Sequence, residues 1–132
     1  SRARARALQA LYAWDVRGEE GLERVATQLF DDLALGPDER RFASQLVGVV
    51  IRQGRDIDTE LADVTTNWRL ERLGAIERCV LRLAAAELIR GETPPKVVIQ
   101  EAVRLAERYG SAQSARFVNG VVDALARRMK KL

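Results

Sequence analysis

The arginines are the residues best placed to act on something. Arg2, Arg4 and Arg6 precede any acid in the chain, and guanidinium groups grip phosphate oxygens with paired N–H donors. A second combination stands near the other end, where Ser114, Arg116 and Phe117 open the last helical stretch. Free backbone N–H groups at a helix start attract anions. Arg116 adds a phosphate ligand, and Phe117 offers a ring on which a base stacks, the means by which single-stranded RNA is read. Phe117 suits the first core position of that helix equally well. Nothing comparable supports catalysis. The chain has no histidine, the commonest general base and metal ligand, and its one cysteine, Cys79, allows no internal disulfide or cysteine-based zinc site. Asp31-Asp32 and Asp38-Glu39 are neighbours that point apart on a helix and chelate poorly. There is no Gly-rich phosphate loop and no G-x-S-x-G elbow. These residues describe a binding protein that needs no cofactor, not an enzyme.

The elements that must position them are helices. Only 5% of the 132 residues are aromatic while Leu, Ala and Arg abound, which favours helix over sheet. The longest apolar-dominated stretch, 73–89, places Leu73, Ile76, Val80, Leu83, Ala84 and Leu88 on one broad side, with Cys79 and Leu81 at its edges and Arg78, Arg82 and Ile89 opposite. An arc that wide predicts a central helix with several neighbours. Glu77 and Glu87 interrupt it, and a carboxylate in a core is costly unless paired. Glu87 is expected to meet an arginine from a neighbouring helix. Glu77 is open to two readings, a similar internal pair or a groove filled by a partner protein.

Around this centre, residues 1–17 form a helix with Ala7, Leu8, Ala10, Leu11 and Trp14 inward. Arg2 and Arg6 share a face and Arg4 points elsewhere. Residues 22–35 and a helix from Pro37 to about Thr65, unbroken or bent near Gly54, follow. Trp68 and Leu70 are expected to anchor the junction after it. Thr93-Pro94-Pro95 breaks the chain, 96–109 is an amphipathic helix, Gly110 stops it, and Ser111 or Ser114 caps the last helix. Gly120 is expected to allow a close helix approach. The expected architecture is all-α, six to seven helices in one domain 1–132 with helical subdomains at about 1–65 and 66–132.

Net charge is +3, but 1–65 carries −3 and 66–132 carries +6. That asymmetry suits a polyanion-binding face. No stretch reaches the ~20 apolar residues of a membrane span, and cysteine usage suits a reducing, cytoplasmic location.

Three segments together resemble the NusB transcription antitermination factors: RFVNGVVDAL at 116–125, preceded by PPKVVIQEAVRLAERYG at 94–110; IERCVLRLAAAEL at 76–88; and the arginine-rich start leading into Arg6-Ala7-Leu8-Gln9-Ala10-Leu11-Tyr12 with Trp14. The resemblance spans nearly the whole chain in order. It implies two helical subdomains, no enzymatic activity, and binding of the boxA element of ribosomal RNA transcripts together with NusE, a small-subunit ribosomal protein, as part of an antitermination complex on RNA polymerase. It assigns Arg2, Arg4, Arg6, Tyr12, Lys96, Arg116 and Phe117 to the RNA surface and Glu71 and Glu77 to NusE. Some members of the family form homodimers that cover the RNA surface. Here Ala86 stands where relatives often carry a tyrosine or another large residue. The competing expectations are a non-catalytic accessory domain of the kind that precedes the catalytic domain in some ribosomal RNA cytosine methyltransferases, and a protein-interaction module that binds no RNA.

Overall fold

A computed structural model describes residues 1–18, 20–65 and 73–132. Among these the chain forms six α-helices and no strand: α1 (Arg2–Arg17), α2 (Leu22–Asp32), α3 (Pro37–Val64), α4 (Ala75–Arg90), α5 (Pro95–Tyr109) and α6 (Ala112–Arg128). Trp68, Leu70 and Glu71 lie outside the described residues.

Helix α4 is the centre, touching α1, α3, α5 and α6. From Cys79 to Leu88 every residue but Arg82 is buried. This is more enclosure than the apolar arc implied. Leu81, placed at its edge, has no exposed surface. The side carrying Arg78 and Arg82 is covered too, because α1 and α3 approach it through carboxylates. Cys79 is fully buried, and burial first, with the Asp15 charge second, pushes its thiol up to about 12. It is a neutral core group at physiological pH.

Helix ends follow from local chemistry. Ser1 caps α1 by accepting the Arg4 N–H at 3.4 Å, and Gly18 closes it in the left-handed region at φ 72. The long helix bends at Gln53 (φ −124, ψ 21), beside Gly54. Ser111, not Ser114, caps α6 by accepting the Ser114 N–H at 3.0 Å. Gly110 lets α5 turn tightly into α6, since a Cβ there would stand 2.7 Å from the Ala106 carbonyl oxygen. Gly120 has open space around it and serves no close approach.

Helix α2 ends earlier than the apolar spacing indicated. The Ala34 N–H bonds the Asp31 carbonyl at 3.0 Å and the Leu35 N–H reaches the Phe30 carbonyl at 3.4 Å, with Ala34 at φ 51. This pairing turns the chain into Gly36-Pro37. A side chain at that φ costs roughly 1–2 kcal/mol, part of which glycine returns as unfolded-chain entropy. Ala34→Gly is therefore expected to raise stability by about 0.5–1 kcal/mol, read as a higher urea midpoint at unchanged m-value.

Candidate nucleic-acid interface

Helix α1 presents one exposed face. Arg2 and Tyr12 are exposed, and Arg6 between them is half-buried. The spacing 2, 6, 9 sets Arg2, Arg6 and Gln9 one above the other. Arg6 donates to the Gln9 side chain at 3.3 Å, and its Nε stands 3.7 Å from Glu39 Oε1.

Arg4 is not on that face. Two residues on from Arg2, it is turned about 200° around the helix and is only 11% exposed. Its Nε donates to both Glu87 carboxylate oxygens at 2.9 and 3.1 Å, and its Nη2 reaches Oε2 at 2.5 Å. Thr93 Oγ1 donates to the same carboxylate at 2.7 Å. The Glu87 bond is the main reason the Arg4 pKa is raised. The arginine expected to meet Glu87 is thus Arg4 itself, and its guanidinium is held inside the protein. The other end of α1 is tied down similarly. Asp15 accepts from Arg78 at 2.9 and 2.6 Å and from Arg82 at 2.9 Å, while Arg82 also donates to Asp58 at 2.9 Å and lies 5.5 Å from the centre of the Trp14 ring.

A second cationic surface is the groove between α5 and α6. Lys96, Arg104 and Arg116 line it, with Ile99, Val103 and Asn119. Those three cations have no ion-pair partner among the described residues. Among the described residues Glu107 is the one acid that lines it. Arg104 is not distinctive in the sequence. It lies on the polar side of a plainly amphipathic helix, and what marks it as more than solvated charge is the facing Arg116 of α6, which depends on helix pairing. The start of α1 is joined to α5 by one loose ion pair, Arg4 Nη1 to Glu101 Oε1 at 3.6 Å.

Two expected placements shift. Because Ser111 is the cap, Arg116 and Phe117 stand in the second turn of α6, about one turn beyond its free N–H groups. Phe117 is half-buried against the core and does not line the groove, being about 100° around the helix from Arg116. Glu77 is half-buried in the first turn of α4. Its carboxylate folds back over Gly74, with Oε2 2.9 Å from where a Cβ there would stand. An acid in that position complements the helix dipole.

Residues 1–127 match the sequence model of the NusB family. The transcription antitermination protein NusB of Anaeromyxobacter dehalogenans is 45% identical over 129 residues, covering 96% of this chain and 89% of that protein. Among solved structures, T. maritima NusB superposes with a TM-score of 0.90 at 30% identity, covering 98% of this chain and 94% of the other. A chain from the crystal structure of antitermination factors NusB and NusE in complex with dsRNA superposes with a TM-score of 0.86 at 31% identity, covering 96% and 94%.

Proposed function

The chain belongs to the NusB family, and on that premise we propose that it binds the boxA element of ribosomal RNA transcripts together with NusE, as a cytoplasmic component of an antitermination complex on RNA polymerase. One observation carries the reading: Arg2, Arg6 and Tyr12 share the exposed face of α1, and the start of that helix is tied by Arg4 to Glu101 of α5, the helix that carries Lys96 and Arg104 of the second cationic groove. Cations there hold phosphates, and the Tyr12 ring, 40% exposed, is the best-placed platform for a base. Phe117, next to Arg116 in the chain, is the second ring proposed to meet RNA. Arg4 acts at one remove, fixing the start of α1 on α4. Glu77 is proposed as a contact for NusE, and Glu71 is assigned to the same partner by the family resemblance. A homodimer burying the α1 face would compete with RNA. The related complex of NusB and NusE with RNA supports the partner assignments. No bond is made or broken in this role; recognition is by charge, stacking and shape.

The test is a gel-shift titration of boxA RNA and a scrambled RNA, each with and without NusE. Binding should prefer boxA, tighten with NusE, and weaken with salt at a slope of about −0.7 per phosphate contacted. The double change Lys96→Glu with Arg116→Glu should lower RNA affinity by about 10- to 100-fold. An affinity indifferent to RNA sequence and to NusE would sink the boxA assignment.

A further inference from the structure

The outer side of α3 carries cations for which the boxA surface has no use. A groove there is lined by Arg41, Ser44, Gln45, Val49, Arg52 and Arg90. Positions 41, 45, 48 and 52 follow helical spacing and fall on one face. Gly48 leaves that face bare, and the Arg52 guanidinium lies back over it, with Nη1 3.0 Å from where a Gly48 Cβ would stand. Folding back one turn brings its charge to within about 10 Å of the level of Arg41 along the axis. Arg52 has no ion-pair partner among the described residues. Arg41 has only the exposed Asp38, at 3.0 Å, and Arg90 pairs with Glu92 while donating to Gln45 at 2.5 Å. The exposed Arg41–Asp38 pair is weak and gives up its arginine readily, whereas Arg90, 20% exposed, is held at the edge of the groove.

We propose that this groove is a second contact for the RNA backbone, taking phosphates of the transcript beyond the boxA element; the proposal rests on the RNA-binding reading above. A hydroxyl and an amide set among three guanidinium groups match phosphate oxygens. A protein partner fits less well, because Val49, the only apolar residue lining the groove among the described residues, is buried. The groove is also reached from the first surface. Arg4 and Arg90 lie 5.0 and 5.2 Å from the centre of the same Phe42 ring, and Arg6 of the α1 face stands 3.7 Å from Glu39 on the first turn of α3. A strand leaving the α1 face along α3 therefore passes over Arg41 and then Arg52. Contacts of this kind position RNA without reading its sequence.

The experiment compares the full chain with Arg41→Gln/Arg52→Gln, and with Arg127→Gln as a charge control on α6. Three RNAs are titrated over a range of salt: a minimal boxA, boxA with a single-stranded flank, and a scrambled RNA of the flanked length. The double variant should bind minimal boxA like the parent and both longer RNAs about 3- to 10-fold more weakly, with the salt slope reduced by about 0.7 for each phosphate no longer held. Equal binding of parent and double variant to the longer RNAs overturns the α3 contact and leaves the boxA assignment intact. An equal loss in Arg127→Gln overturns it too, since any removed charge would then serve. A parent without boxA preference fails the boxA assignment alone, and the α3 contact is then decided on the scrambled RNA. A parent that binds no RNA overturns both.

Discussion

Glu87→Ala is expected to cost about 3–5 kcal/mol of folding stability, read by urea unfolding at neutral pH. The carboxylate is 2% exposed and holds three hydrogen bonds from the Arg4 guanidinium and one from Thr93. Truncation removes the three strongest bonds of the Arg4 guanidinium, which is only 11% exposed, and leaves it Ser1 Oγ at 3.2 Å, the looser Glu101 carboxylate at 3.6 Å and the Phe42 ring. The cost arises from the under-paired buried partner, not from the intrinsic worth of the pair. Replacing both members with apolar groups, as Arg4→Met with Glu87→Leu, should therefore recover most of the loss. A double variant no more stable than Glu87→Ala would overturn this account. A third variant separates a strut from a phosphate ligand. A strut at Arg4 predicts that Arg4→Gln lowers stability while the salt slope of RNA binding stays constant; a direct phosphate contact predicts a slope reduced by about 0.7.

Arg4 shows what the sequence could and could not convey. Its neighbours in the chain, Arg2 and Arg6, do stand on an exposed face, and the order of charges suggests that all three act alike. Helical geometry alone turns Arg4 away from the other two. A carboxylate inside an apolar arc announces that an arginine from another helix is needed at Glu87. Which arginine depends on how α1 crosses α4, and periodicity carries no information on helix pairing. The same limit explains α4. Its apolar residues mark it as central, yet for its Arg78/Arg82 side the sequence tells only that it is polar, because an ion-paired helix face looks the same whether water or Asp15 and Asp58 covers it. The α5–α6 groove is a third case: Lys96 and Arg116 are individually legible, and Arg104 becomes distinctive only when the two helices are set side by side. Helix starts and stops are the most legible features, since Pro37, Pro94-Pro95, Gly110 and Ser111 act locally. The early end of α2 escapes a reading of the sequence because its stop is an alanine at positive φ, a conformation that residue type does not advertise.

The other end of α1 yields an acid-sensitive prediction. Asp15, its side chain 10% exposed, lies between Arg78 and Arg82. The hydrogen bond from Arg78 is the largest influence on its pKa; burial opposes it, and the arginine charges with the Arg82 bond complete a net lowering below the usual aspartate value. A carboxylate whose folded pKa lies below its unfolded value stabilises the fold fully above the unfolded value, and that contribution disappears as pH falls through the folded one. The parent should therefore lose stability progressively below about pH 4, and Asp15→Asn should show a flatter profile over that interval. At neutral pH, Asp15→Ala is expected to cost about 2–3 kcal/mol, less than Glu87→Ala by the same physics. Arg82 keeps Asp58 and Arg78 keeps the Leu73 carbonyl at 2.8 Å, so neither guanidinium is stranded. Because Asp15 lies more than three turns from Arg2 along α1, the loss should appear first as faster amide exchange at the C-terminal end of that helix. Exchange that instead rises uniformly along α1 would mean that the helix detaches as one unit, and that the Arg4–Glu87 pair alone does not hold the α1 face in place.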